Sequence, residues 1–238
     1  MKSRLLSRRN GSPPIGQQRP AIVTPGALYR WNSELVSALA PLTIDLEVTL
    51  RNTIHQQLTT LYGRPDWWAS NDLIIDDDTN SALTATLTRH RKATFKGTLS
   101  PNLIISELSF GVWVMLLGRG GVSVLGRAVD YETKLWRSAL RLGFDLGSTT
   151  TKGWPRRPTR YDVHLRAATY QRLRNRAAHH EPIFTGVHRP GVPKTSPRIP
   201  LPDIWGEGIE LLSWMSPPLA TIHRTTGTLP TVFANRPT

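Results

Sequence analysis

Apolar residues recur along this chain at the three- and four-residue steps of a helix, and no alternating stretch is long enough to suggest a sheet. From Ala27 onward, Leu28, Trp31, Leu35 and Leu39 share one face. Pro41 suits the first turn of a second helix, in which Leu42, Leu46, Leu50, Ile54, Leu58 and Leu61 drift across one broad face. Glu47, Arg51 and His55 stand beside that stripe at four-residue steps. Such spacing allows a solvated ladder of ion pairs, each worth roughly a few tenths of a kcal/mol, or a polar edge turned toward another helix. The ladder is the more ordinary arrangement. Gly63, Pro65 and the acidic residues Asp72, Asp76, Asp77 and Asp78 mark a loop, with Trp67 and Trp68 anchoring it to the core. That loop lacks the glycine and the distal glutamate of an EF-hand.

Asp78 or Thr79 is placed to cap a helix reaching about Lys92, and Arg89, His90, Arg91, Lys92 and Lys96 close the segment as a solvated basic surface. Pro101 opens the next helix, whose Leu103, Ile104, Leu108, Val112, Met115 and Leu116 make it the most buried element. Gly111 within it predicts the close approach of a neighbour, at some cost in helix propensity. Residues 118–121 break the chain with Arg119 exposed; no Gly-Lys-Ser/Thr follows, so this is not a P-loop. A helix over residues 131–142 turns Leu135, Trp136, Ala139 and Leu142 inward, and a loop carrying Arg156 and Arg157 follows it. Another helix starts near Thr159 and ends around Glu181, because Pro182 keeps its predecessor out of the α region. Residues 186–202 are Pro-rich and extended, with His188, Arg189, Lys194 and Arg198. A last amphipathic helix covers residues 204–223.

The pattern describes an all-α protein: a flexible basic tail over residues 1–26, a helical domain over 27–223, and a loose C-terminal tail over 224–238. Thirty Lys and Arg against 17 Asp and Glu leave a net charge of +13 over 238 residues. That surplus favours partners that carry phosphate. The absence of cysteine excludes disulfides, thiolate metal sites and cysteine nucleophiles, and fits a reducing cytoplasm. The basic N-terminus is followed by polar, Pro- and Gly-rich residues rather than an apolar signal core. The most apolar run, residues 103–117, contains Glu107 and is too short to span a bilayer. A cytoplasmic protein without membrane partners is expected.

Chemistry concentrates in Leu173-Arg174-Asn175-Arg176-Ala177-Ala178-His179-His180-Glu181-Pro182. At about 100° per residue, Val163, Ala167, Tyr170 and Ala177 form one stripe of their helix, and Arg174 falls within it. Asn175 and His179 lie roughly opposite, four residues apart. A guanidinium on an apolar stripe needs a partner: Glu47 within one bundle would supply a salt bridge, or a twofold arrangement would bring two Arg174 and two His179 side chains round one basic cleft whose charge RNA phosphates relieve. A histidine removes a proton from a ribose 2′-hydroxyl near neutral pH. An arginine clamps the phosphate and stabilises its pentacoordinate transition state, and Asn175 is placed to orient the imidazole. This chemistry needs no metal or other cofactor. The histidines also lack the four-residue spacing of a zinc helix.

Arg174-Asn175, three residues, then His179 matches the Arg-Asn-x-x-x-His motif of the HEPN superfamily, and the block through His180-Glu181-Pro182-Ile183 resembles its Abi-like, abortive-infection branch. Tyr29-Arg30-Trp31-Asn32, Leu46-Glu47-Val48-Thr49-Leu50-Arg51-Asn52, Gly63 with Trp67-Trp68, Leu108-Ser109-Phe110-Gly111-Val112-Trp113 and Leu135-Trp136 are similar to that branch in order, so the resemblance covers residues 27–185. It implies a HEPN-type helical bundle with additional helices, and a homodimer whose paired motifs form one cleft. It further implies a metal-independent endoribonuclease cutting single-stranded RNA or tRNA, in bacterial phage defence or as a toxin held by an antitoxin protein or RNA. Arg174, Asn175 and His179 carry over as catalytic residues. His180, Glu181, Glu47, Arg51 and Arg176 are neighbouring candidates for substrate binding. The other reading is a non-catalytic RNA-binding or protein-interaction module on the same fold.

Overall fold

One long helix organises the molecule. In the computed structural model, which describes residues 23–93, 100–144, 150–151, 154–155 and 157–237, helix α1 runs unbroken from Pro25 to Tyr62. Thr24 caps it, its hydroxyl accepting from the Ala27 N–H at 3.2 Å, and Gly63 closes it in the left-handed conformation at φ 68°. Its stripe of Trp31, Leu35, Leu39, Leu42, Leu46, Leu50, Ile54 and Leu58 is buried from end to end. Pro41 therefore lies inside one helix and does not start a second. Pro41 and Ser37, whose carbonyl loses its helical partner there, are both exposed, so solvent takes up the missing bond. Leu39 and Leu42, buried on either side, hold the helix in phase across it.

Seven further α-helices among the described residues pack on or near α1: α2 (Asp77–Ala93), α3 (Pro101–Glu107), α4 (Phe110–Leu116), α5 (Arg160–Ala178), α6 (Leu201–Met215), α7 (Pro217–Thr226) and α8 (Leu229–Ala234). A two-residue antiparallel ribbon, Thr150–Thr151 with Trp154–Pro155, is minor beside them. The fold is all-α. Its core joins α1 to α4, α5, α6 and α8. α5 and α6 approach closely at Gly208, where a Cβ would collide with the Tyr170 ring.

Several boundaries differ from the sequence pattern. The cap of α2 is Asp76, whose Oδ1 accepts from the Thr79 N–H at 2.8 Å, while Thr79 is buried beneath the Tyr131 hydroxyl. His90 is buried with its Nε2 3.3 Å from Glu107, so it does not belong to a solvated basic surface. The helix expected from Pro101 splits into α3 and α4, because Leu108 and Ser109 are both extended and the turn buries Leu108 and Phe110 together. Leu103 points outward. Gly111 does meet a neighbour: a Cβ there would lie 2.8 Å from Gln171 Nε2 of α5. Over residues 131–144 the chain winds loosely, with the Arg137 N–H reaching back five residues to Glu132, and then tightly over Leu140–Phe144. That change of phase buries Leu140 and Phe144 and leaves Leu142 exposed. Pro217 excludes Ser216 from the α region, which divides the expected last helix into α6 and α7. The expected loose C-terminal tail is instead largely helical, with Leu229 fully buried and Val232 and Phe233 against the core. The expected tail up to residue 22, Lys96 and Arg156 lie outside the described residues. No helix among the described residues is long and apolar enough to cross a membrane.

Trp67 anchors its loop as expected. It is buried edge-on to Trp113, and its indole N–H donates to His55 Nδ1 at 3.2 Å. Burial holds the His55 imidazole below its ordinary value of 6.5, and burial, then the Arg160 charge, does the same at His164. Near and below that ordinary value the unfolded chain takes up protons that the folded chain resists, so these two histidines stabilise the fold above 6.5 and the gain is lost as pH falls. The denaturant midpoint should drop as pH is lowered through the histidine range. His55→Gln, which keeps an acceptor for Trp67, should flatten part of that dependence; an unchanged profile would contradict the assignment.

Candidate catalytic site at the end of helix α5

Helix α5 begins with a reciprocal cap. The Thr159 hydroxyl accepts from the Asp162 N–H at 3.1 Å, and the Asp162 carboxylate accepts from the Thr159 N–H at 2.9 Å. Val163, Ala167, Ala168, Thr169, Tyr170 and Leu173 form its buried face. The helix ends at Ala178, three residues before the limit set by Pro182. The His180 N–H bonds to the Ala177 carbonyl at 3.1 Å and the Glu181 N–H to the Arg176 carbonyl at 2.9 Å, the paired closure of a left-handed helix terminus. His180 supplies the left-handed residue at φ 57°, the sole non-glycine with positive φ among the described residues. Glycine is usual there, and a side chain costs about 1–2 kcal/mol. An Arg176–Glu181 ion pair, Nε to Oε2 3.1 Å, bridges the same turn.

Asn32 of α1 holds this turn in place. Its Oδ1 accepts from the Ile183 N–H at 2.7 Å and its Nδ2 donates to the Glu181 carbonyl at 3.3 Å, in a site that leaves Asn32 buried. Beside it Trp31 packs between Phe184 and Phe233, with ring centroids 5.3 and 5.8 Å away, and its indole N–H donates to the Val232 carbonyl at 2.8 Å. Asn32 has no role in the motif resemblance beyond its place in Tyr29-Arg30-Trp31-Asn32. The signal was present: Asn32 sits between Leu28 and Leu35 on the apolar stripe of α1, where a primary amide must find partners.

Arg174 lies at the rim of the buried face and not within it, because that face is centred nearer Tyr170 and Leu173. Its Nε is 3.7 Å from Glu47 Oε2, and the two side chains are 43% and 28% exposed. Glu47 thus faces α5, and His55 accepts from Trp67, so this edge of α1 is not a solvated ion-pair ladder. Arg51 lies between them half-buried, its Nε enclosed without a hydrogen-bond partner among the described residues. Alongside Arg174, Val36, Ala40, Thr43, Ile44, Ala177 and Ala178 line an apolar groove of about 180 Å³.

No family model, curated protein or solved structure matches this chain.

His179 and His180 are both exposed, and neither side chain bonds to another described residue. Asn175 does not orient His179 as its spacing suggested. Its carboxamide oxygen lies 3.5 Å from Arg174 Nη1, and it is the Asn175 main-chain carbonyl that accepts from the His179 N–H, at 3.0 Å. Glu181 is occupied by Arg176, whose Nη1 also donates to the Gly186 carbonyl at 2.7 Å. The turn therefore presents two open imidazoles at a helix C-terminus, an end that favours cations.

The two supports of this site differ in energy. Asn32→Ala buries an unpaired Ile183 N–H and should cost about 1–3 kcal/mol. Arg174→Ala removes a half-exposed pair and should cost under about 1 kcal/mol. Denaturant unfolding of both variants checks the ranking, and a loss of several kcal/mol at Arg174 would reverse it.

Proposed function

We propose that this chain is a metal-independent HEPN-type endoribonuclease that cuts single-stranded RNA or tRNA loops. The observation that carries the reading is the locked left-handed turn, which leaves His179 and His180 open to solvent, with Arg174 five residues back on the same helix. One histidine takes the proton from a ribose 2′-hydroxyl, and the freed oxygen attacks the adjacent phosphorus. Arg174 bears the negative charge that builds on the phosphoryl oxygens. The second histidine donates a proton to the departing 5′-oxygen, leaving a 2′,3′-cyclic phosphate and a 5′-hydroxyl. An open site suits a polymer, and in-line attack needs the flexible backbone of an unpaired strand. The working unit is a homodimer in which the groove beside Arg174, with Ile44 60% exposed at its edge, is covered by a second copy. Phage defence, or toxicity restrained by an antitoxin protein or RNA, is the setting this activity fits.

A second reading, an RNA-binding or interaction module without catalysis, is favoured by one observation: Asn175 leaves His179 unoriented. The two separate on a direct assay. Total RNA incubated with the protein in EDTA should gain cyclic-phosphate ends. His179→Ala should slow cleavage at least about a hundredfold, the scale of general acid–base groups, while RNA binding persists; unchanged cleavage, or an absolute need for Mg²⁺, would refute the mechanism.

The dimer has its own test. Arg174→Ala and His179→Ala subunits, each inactive alone, should regain partial cleavage when mixed, because each cleft draws its arginine and histidine from different chains. A fully active monomer by light scattering would remove the dimer from the scheme.

A further inference from the structure

The Pro-rich segment that follows the site is folded back as a strap. Gly186 opens it in the left-handed conformation at φ 68°, so close to the Ile199 carbonyl that a Cβ would collide with it. Val187 and Ile199 then pair antiparallel, N to O 3.3 and 2.7 Å. Arg172 and Arg176 hold the strap to α5, and Arg198 ties the strap to itself and to Thr185. Arg172 Nη1 donates to the His188 and Arg189 carbonyls at 3.2 and 3.1 Å. Arg198 donates from Nη1 to the Thr185 hydroxyl at 2.6 Å and from Nε to His188 Nε2 at 3.3 Å. Arg176 reaches the strap at Gly186.

Both Arg172 and Arg198 converge on His188, and both are exposed. Neither has a carboxylate partner among the described residues, whereas the neighbouring Arg189 is neutralised by Glu207 and Arg176 by Glu181. The Arg198 charge is felt at Arg176, which, mainly through burial, is held below its ordinary value against the pull of Glu181. Each of the two unpaired guanidiniums spends one edge on the strap and leaves the rest of its donors to solvent. They are like-charged groups held against the same residue, His188, and already partly immobilised there. Planar forks of this kind suit phosphate oxygens. The same strap leads through Thr185 and Pro182 directly to the histidine turn.

We propose that Arg172 and Arg198 form a phosphate-binding track on the strap, along which a single-stranded RNA lies as it reaches the histidine turn. This rests on the RNA reading above, but not on cleavage. The test uses the full chain and a fluorescein-labelled oligouridylate, with affinity measured by anisotropy across a salt series. Each lost phosphate contact on a single strand lowers the slope of log affinity against log salt by about 0.7. Arg172→Gln/Arg198→Gln should therefore flatten the slope by about 1.4, while Arg189→Gln, whose charge Glu207 already neutralises, should leave it unchanged. The Val187 and Ile199 amides should stay protected in hydrogen exchange. An unchanged slope in the double variant, an equal change in Arg189→Gln, or loss of that protection alongside the slope would overturn the track. So would polyglutamate competing as well as oligouridylate, which would assign the surface to an acidic protein. If the slope holds while His179→Ala still abolishes cleavage, the track alone fails. If the slope flattens as expected while His179→Ala cleaves normally, the track stands and the nuclease reading fails.

Discussion

The site depends on a single buried amide. A chain leaving a helix has lost its internal hydrogen-bond partners, and its backbone groups must be satisfied elsewhere if they are to be enclosed. Here Asn32 serves both sides of that exit, accepting from Ile183 and donating to the Glu181 carbonyl. The left-handed closure at His180 satisfies the turn before it. Together they fix where the chain goes next, so that Ile183 is buried, Phe184 meets Trp31 and Gly186 begins the strap. The strain stored at His180 persists because the surroundings specify the turn several times over.

The basic surplus is unevenly distributed in kind. Arg64 with Asp66, Arg160 with Glu132, Arg166 with Glu210 and Arg189 with Glu207 are matched to carboxylates, and Arg166 also lies over the Trp214 ring. All but the local Arg64–Asp66 pair hold separate segments to one another. Arg172 and Arg198 hold main-chain and side-chain acceptors without neutralisation, and Arg174 reaches the Glu47 carboxylate only at 3.7 Å. Electrostatic potential is thereby left where α5 ends, although the chain as a whole is basic.

Helix identity was legible in the sequence because burial imposes a period that survives local irregularity: the α1 stripe reads correctly from Trp31 to Leu58. Breaks were less legible. Pro41 looked like a start, yet a proline on the solvent side of a well-buried helix is tolerated, while Ser216 before Pro217 is a true stop. The Leu108–Ser109 bend carries neither proline nor glycine, and only the packing of Leu108 and Phe110 demands it. The motif residues could be located by spacing, but their directions could not. Arg174 moved to the rim because the buried face is broader than one stripe, and His179 left the helix because His180 closes it early. Asn32 shows the reverse case, a polar residue on an apolar stripe whose partner lay far along the chain.

Trp31 touches Phe184 just beyond the histidine turn and, on another side, Phe233 of the last helix, while its indole bonds to Val232, 201 positions away in sequence. The first and last helices and the site thus share one aromatic contact and cannot loosen independently. Thermodynamic linkage makes such a coupling reciprocal. A ligand that stiffens the histidine turn also tightens α8, and anything that pries α8 away, including a fusion placed too close to Phe233, weakens that ligand's hold by the same factor.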